Sequence, residues 1–333
     1  MKRVGLVLLV LVVALTIAAS FVAPNPPDLA FRDLSFAPPS RVYVVDPAGN
    51  LVPPYTYPQR LVSRLERRYE EDRSRPQPIR WLHNGRLATV TYSGAPLMLL
   101  GADSAGRDIF ARLLHGARTS LALALVGTLG ALVIGTIVGG VAGYAGGIAD
   151  EVLSRVADFV LVLPAIYVVL ALRAVMPLVL PDQAVFVLMA AIFGFVGWPF
   201  VARGVRAIIV AERRSEYAQA ATAMGASHTR MLGRHLLPAT SGFLAVQATL
   251  LLPAFILAEA TMSYVGLGFS DRTATWGTML VDASNVAVLA DVPWALAPAG
   301  AIFIVVLGVN LVVQGAPEIV LGGPGISSTI ARR

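Results

Sequence analysis

The chain contains no cysteine and a single lysine, Lys2. Without cysteine there is no disulfide, no thiolate metal ligand and no thiol nucleophile. A phosphate-binding loop needs Gly-x4-Gly-Lys followed by Ser or Thr, and Schiff-base chemistry needs a lysine in the site. One lysine at position 2 serves neither, so this chain is not the motor of an ATP-driven process. The four histidines, His83, His115, His228 and His235, form no i, i+4 pair of the kind that holds a metal on a helix. Charge is scarce as well, at 14% of residues.

What is present is hydrocarbon. Hydrophobic residues make up 56% of the chain, and they come in long blocks rather than in alternation. Mean hydropathy is +0.71. This is the composition of a membrane protein. The formal charge of +6 comes from arginines scattered through spans and loops, with no aromatic-interleaved basic platform. Orientation in a bilayer accounts for them, and nucleic-acid binding does not.

A helix needs roughly twenty apolar residues to cross a bilayer. About six stretches qualify: 4–22, 120–143, 156–175, 184–201, 241–267 and 294–314. The expected fold class is therefore an all-α polytopic membrane protein. The first stretch follows Lys2 and Arg3 and ends near Ala18, Ala19 and Ser20, as a cleaved signal peptide would; its uninterrupted length favours an uncut helix. Arg206, Arg213, Arg214, Arg230 and Arg234 crowd the loop 204–238, while the short connections on the other side hold little more than Arg173 and Arg272. The positive loop faces the cytoplasm. Six spans then place both termini inside, in agreement with Lys2, Arg3, Arg332 and Arg333. The chain divides into an N-terminal transmembrane helix (1–23), an extracytoplasmic insertion (24–100), a transmembrane domain (101–318) and a cytoplasmic tail (319–333).

The insertion reads as a small α+β module. "RVYVVDPAGNLVPPYTYP" offers two strands about a turn, and "IRWLHNGRLATVTY" places Asn84-Gly85 between two β-prone runs. Between them, Leu61, Leu65 and Tyr69 in "PQRLVSRLERRYEED" recur at helical spacing and predict an amphipathic helix. Whether the module has a function or merely connects is open.

The most informative segment is polar: "EYAQAATAMGASHTRMLGRHLLP", residues 216–238. Tyr217, Ala220, Ala221 and Met224 share one helical face, with Glu216, Gln219 and Thr222 on the others. Gly225 can end that helix in a left-handed turn, Ser227 can cap a second one, and Pro238 would close it. Two short helices meeting at a glycine make a knob whose small residues permit close approach by something else.

"QAATAMG", followed nine residues later by "HLLP", resembles the EAA loop of the membrane permeases of ABC importers. Gln219 stands in place of the glutamate and His235 in place of the isoleucine. "GADSAGRDIFARLLHGARTSLALALVG", "GYAGGIADEVLSRVADFVLVLPAI", "VGWPFVARGVRAIIVAERRSEYAQAA" and "ILAEATMSYVGLGFSDRTATWGTML" are similar, in that order, to the dipeptide, oligopeptide and nickel transporter permeases. The resemblance runs from about residue 100 to the C-terminus and leaves 24–96 outside it. It implies the type I ABC importer permease fold and a multi-pass place in the cytoplasmic membrane. It also implies a second permease, two cytoplasmic ATPases that bind ATP and Mg, an extracytoplasmic substrate-binding protein and a peptide-like substrate. No cofactor or metal is implied on this chain. Glu216, Tyr217, Gln219, Ala220, Ala221, Met224, Gly225, Ala226 and Ser227 become the ATPase-coupling residues.

Elsewhere, Gly135, Gly139, Gly143 and Gly147 recur every fourth residue. Close helix packing is the expectation, with a hinge as the alternative. Asp158 and Glu259 are the ionisable groups most nearly embedded in lipid. Arg155, three residues before Asp158, is its expected partner. Glu259, with Ser263 and Trp198, is assigned to the translocation pathway or gate, and its own role is open between gate and contact with a substrate ammonium. "GRDIFARLLHGARTS" reads as an interfacial helix with Arg107, Arg112 and Arg118 off its apolar face. A proton-coupled secondary transporter using Asp158 and Glu259 is the rival reading, although it has no use for the knob. An intramembrane aspartyl protease would need a second facing aspartate that Asp158 lacks.

Overall fold

The computed structural model describes residues 1–64, 66–90, 94–164, 167–168, 170–171 and 180–314. Helix α1 spans Lys2–Ile17 and passes through a break at Ala18 into the short α2, Ala19–Val22. The insertion follows, and then α3 (Ile109–Ala145), α4 (Gly147–Val162), α5 (Asp182–Glu212), α6 (Glu216–Ala223), α7 (His228–Tyr264), α8 (Trp276–Ala283), α9 (Val286–Asp291) and α10 (Ala297–Gln314).

Four helical stretches, not six, are long and apolar enough to cross a membrane among the described residues: Ile109–Ala145, Asp182–Glu212, His228–Tyr264 and Pro293–Val313. The first expected span forms a 16-residue helix. At 1.5 Å per residue that is about 24 Å, short of a bilayer core of about 30 Å. The third expected span, 156–175, lies partly outside the described residues. Helix α3 has the opposite character: its 37 residues extend about 55 Å, so it must tilt or overhang the bilayer. It absorbs the expected interfacial helix, whose residues form its first turns.

Close approach builds the core. Helices α3 and α5 pack along their length through the glycine stripe. A Cβ at Gly135 would come within 2.7 Å of Val201 Cγ1, one at Gly139 within 2.9 Å of Ala202 Cα, and one at Gly143 within 2.8 Å of the Arg206 carbonyl oxygen. The stripe is a packing surface, and it ends there: Gly147, the first residue of α4, has φ +57° with open space around it. Phe193 and Phe255 stack at 4.8 Å and fasten α5 to α7. Helix α1 lies along α10, where a Cβ at Gly5 would meet the Gly308 carbonyl oxygen at 2.6 Å.

Among its described residues, the extracytoplasmic α+β insertion after the first helix has six strands and the 3-10 turn Arg32–Leu34. Strands β1 (Tyr43–Val45), β2 (Leu51–Thr56), β5 (Gln77–His83) and β6 (Arg86–Val90) form an antiparallel sheet in that order. Asn84 and Gly85 turn β5 into β6 with φ of 54° and 71°, as their sequence predicts for a two-residue hairpin. The expected amphipathic helix is instead a hairpin of β3 (Gln59–Ser63) and β4 (Arg68–Glu71). Leu61 and Tyr69, eight residues apart, lie on one helical face but are also directly opposed across this hairpin. Their cross-strand pairing, with the Tyr69 hydroxyl donating to the Ser35 carbonyl, outweighs the helical spacing of Leu61 and Tyr69.

Candidate functional site

The polar hairpin forms as its sequence implies and then departs from it. Helix α6 starts at N-cap Ser215 and ends at Met224; Gly225 takes φ +79°, and Ser227 Oγ accepts from the Arg230 N–H to start α7. Pro238 does not close the second helix. The chain widens into a π turn at Met231–Leu236, tightens into a 3-10 turn at Leu237–Thr240 and runs on as α-helix from Ser241. These two adjustments accommodate a proline without an N–H and leave the hairpin continuous with a membrane helix.

The hairpin's faces differ from the expected division. Ala218 and Ala221 are buried against Val201, Val205, Ile209, Met231 and Leu236, with Ala226 packed at the edge. Ala221 therefore belongs to the inner face. Glu216, Gln219, Ala220, Gly225 and Ser227 are exposed, Tyr217 is 44% exposed and Met224 is 82% exposed. Gln219 Nε2 donates to the Arg214 carbonyl at 3.0 Å, and the Tyr217 hydroxyl donates to Glu212 Oε2 at 2.7 Å. A brace missed in the sequence ties the hairpin to the end of α3. The Tyr144 hydroxyl lies 2.7 Å from His228 Nδ1, Arg213 Nη1 donates to the Tyr144 carbonyl at 2.7 Å, and the Arg213 guanidinium covers the Tyr144 ring at 5.8 Å. No local spacing signals it, since Tyr144 and His228 are 84 residues apart.

Ion pairs link α4 to α5 just above the hairpin. Asp158 pairs with Arg203, not with Arg155, which bonds Glu151 Oε1 at 2.7 Å one turn away on α4. Arg206 Nη2 donates to Asp150 Oδ2 at 2.6 Å. Glycine packing brings α5 within reach, so its guanidiniums take the α4 carboxylates.

Glu259 is fully enclosed. Its Oε2 accepts from Ser120 Oγ of α3 at 2.9 Å, and its Oε1 accepts from Ser263 Oγ and Thr275 Oγ1, each at 2.8 Å. Ser120 Oγ also accepts from the Trp276 N–H at 3.1 Å. Gly277 completes the enclosure, since a Cβ there would meet Glu259 Oε1 at 2.8 Å. One carboxylate thus joins α3, α7 and the capped start of α8. Ser263 and Trp198 are buried too, Trp198 among Val138, Ala157, Val160 and Ala202. None of the three residues assigned to a pathway lines the apolar cleft beside them. The nearby cleft of about 540 Å³ between α7, α8 and α10 is apolar, lined by Leu257, Thr261, Tyr264, Leu280 and Phe303.

A second cluster lies at the outer end of α3. Arg107 Nε donates to Asp103 Oδ2 at 2.7 Å, and its Nη2 forks to both Asp271 carboxylate oxygens at 2.9 Å. Arg112, 1% exposed, donates to the Asp271 carbonyl at 3.0 Å. These arginines were placed off the apolar face of an interfacial helix; the loop before α8 closes over them. Arg118 does point outward and caps α1, donating to the Thr16 and Ile17 carbonyls at 2.8 Å. Asp108 caps α3, accepting from the Phe110 N–H at 2.9 Å and Asn25 Nδ2 at 2.8 Å. Burial pushes its carboxyl up to about 6.

Long apolar helices beneath an outer insertion, with a braced helical hairpin at the far end of α3, define a multi-pass membrane protein. Residues 131–320 match the model of the binding-protein-dependent transport system inner membrane components, and the chain belongs to that family. The oligopeptide transport system permease protein OppC of Bacillus subtilis (strain 168) is 37% identical over 216 residues, which is 65% of this chain and 68% of that protein. The dipeptide transport system permease protein DppC of Alkalihalophilus pseudofirmus is 35% identical over the same length, with the same shares covered. The glutathione transport system permease protein GsiD of Pectobacterium atrosepticum is 36% identical over 216 residues, 65% of this chain and 69% of that protein. As a permease of this kind, the chain is a transport subunit without catalytic chemistry of its own.

Proposed function

We propose that this permease moves di- or oligopeptides inward by alternating access, driven by ATPases on separate chains. The relatives named for oligopeptide and dipeptide transport support the substrate class. In this reading the chain pairs with a second permease, receives substrate from an extracytoplasmic binding protein and docks two cytoplasmic ATPases, where ATP and Mg are bound. Both termini are cytoplasmic.

The observation that carries the reading is the hairpin itself. Ala220, Gln219, Met224 and Tyr217 face outward from a short helix whose other side is packed and whose base is continuous with α7. A small, stiff, partly apolar knob can fill a groove on another protein and transmit its displacement. Ala221 and Ala226 hold the knob from within, and Gly225 turns it. Glu259 acts in this scheme as a gate pin, whose hydrogen bonds would have to exchange when α3 and α7 separate.

Uptake into vesicles by the complete transporter tests this. Accumulation is expected to require ATP and to survive collapse of the proton gradient; dependence on the gradient instead would favour the secondary transporter. Ala220→Trp, which adds bulk to the outward face alone, is expected to abolish ATPase association while the chain still inserts. Unchanged association would remove the knob from its role.

A further inference from the structure

The insertion carries a feature with no part in the transport reading. Strand β5 buries Gln77 and Ile79, but its end exposes consecutive residues: Trp81 at 57% and Leu82 at 71%. A regular strand sends neighbours to opposite faces, so a sheet with one packed face hides one of them. Leu82 escapes the alternation because its backbone is left-handed, φ +51°, a conformation that leucine rarely adopts. The tip of the β5–β6 hairpin thus presents an indole and an isobutyl group side by side.

Three observations say what covers them. The first is place: β6 lies against α2, and Arg86, at the tip, donates to the Ala23 carbonyl at 3.2 Å. Ala23 is where the chain leaves α2, so the tip stands at the outer end of α1 and α2. The second is continuity, since Ile17 and Phe21 on those helices are themselves exposed apolar residues, 73% and 43%. The third is charge. From Arg73 to Ala102 there is no acidic residue, while Arg73, Arg75, Arg80 and Arg86 all fall there. Tryptophan beside arginine, at the height where a helix emerges, matches the headgroup layer, which offers an apolar boundary below and phosphates above.

We propose that the β5–β6 hairpin is a membrane anchor: Trp81 and Leu82 enter the headgroup–acyl boundary of the outer leaflet, and Arg80 meets lipid phosphate. The insertion is then held against the bilayer beside α1 as well as by its contacts with the helical core. The occupant is lipid, and a docked extracytoplasmic protein is the alternative that the test separates.

The chain has no native cysteine, so Leu82→Cys carries a single nitroxide label. The full-length variant is reconstituted in vesicles of phosphatidylcholine and phosphatidylglycerol, and collisions are measured with oxygen, which partitions into lipid, and with a water-soluble nickel chelate. Leu51→Cys, at the 85% exposed turn of β1 and β2, is the aqueous reference. The label at 82 is expected to be oxygen-dominated and the label at 51 nickel-dominated. Adding Arg80→Glu to Leu82→Cys is expected to shift the label toward nickel in vesicles rich in phosphatidylglycerol. Nickel-dominated collisions at both positions would overturn the anchor, as would a label at 82 that becomes shielded only when the extracytoplasmic binding protein is added. No shift with Arg80→Glu would overturn the phosphate contact.

Discussion

Glu259 accepts hydrogen bonds from three hydroxyls on three different segments. Glu259→Ala leaves those donors buried without an acceptor, at about 1–3 kcal/mol each where no water replaces it. The thermal midpoint of the purified protein should fall by several degrees, and Glu259→Gln, which keeps one acceptor oxygen, should fall less. A variant with alanine as stable as the parent would exclude the pin. Asp108 gives a pH prediction. Its folded value of about 6 stands above the ordinary 3.8, because burial penalises the charged form. The folded state holds the proton more tightly, so the stabilisation from this group is complete below about pH 4 and is lost as pH rises through 6. Asp108→Asn should flatten that slope in a melting series from pH 4 to 7. It should also cost about 1 kcal/mol, because an amide nitrogen then faces the Asn25 donor or the Phe110 N–H. Glu259 is visible in the sequence as an ionisable group near lipid. Its partner Ser120 is not, nor is the pairing of Asp108 with Asn25, because these residues lie 139 and 83 positions apart.

The glycine stripe belongs to the scale of elements. A methyl at Gly139 meets the backbone of Ala202, whereas one at Gly130 finds Gly194 at 3.7 Å, an ordinary contact. Gly139→Ala should therefore destabilise by about 1–3 kcal/mol, and Gly130→Ala should stay within about 0.5 kcal/mol. Equal effects in a thermal or denaturant series would point to a hinge, where flexibility rather than space is lost. The four-residue period made this surface legible, since small residues at helical spacing announce close approach whatever the partner. The β3–β4 hairpin shows the limit. Leu61 and Tyr69 fit a helix and a hairpin alike, and only contact with Ser35 and the rest of the insertion decides between them.

For the whole molecule, the Arg107 cluster ties the outer end of α3 to the loop before α8, while Tyr144, His228 and Arg213 tie its inner end to the hairpin. Helix α3 thus has a fastening at each end. Arg107→Ala removes the fork to Asp271 and leaves Asp103 buried beside Arg112 alone. A loss of about 3–5 kcal/mol is expected, read as a lower melting temperature and faster proteolysis of the loop around Asp271; an unchanged loop would show that the cluster fastens nothing. The sequence by itself determined the solvent, four of the six expected apolar spans among the described residues, the exclusion of nucleotide and thiol chemistry, and the hairpin with its glycine turn. All of these follow from composition or from spacing within a few residues, where backbone geometry alone sets the outcome. Only the tertiary structure decided which alanine of the hairpin faces outward, which arginine Asp158 takes, and that Glu259 and Arg112 are enclosed. Those outcomes depend on which distant helix arrives within about 3 Å, and hydrogen bonds and ion pairs at that range choose among partners that periodicity leaves equal.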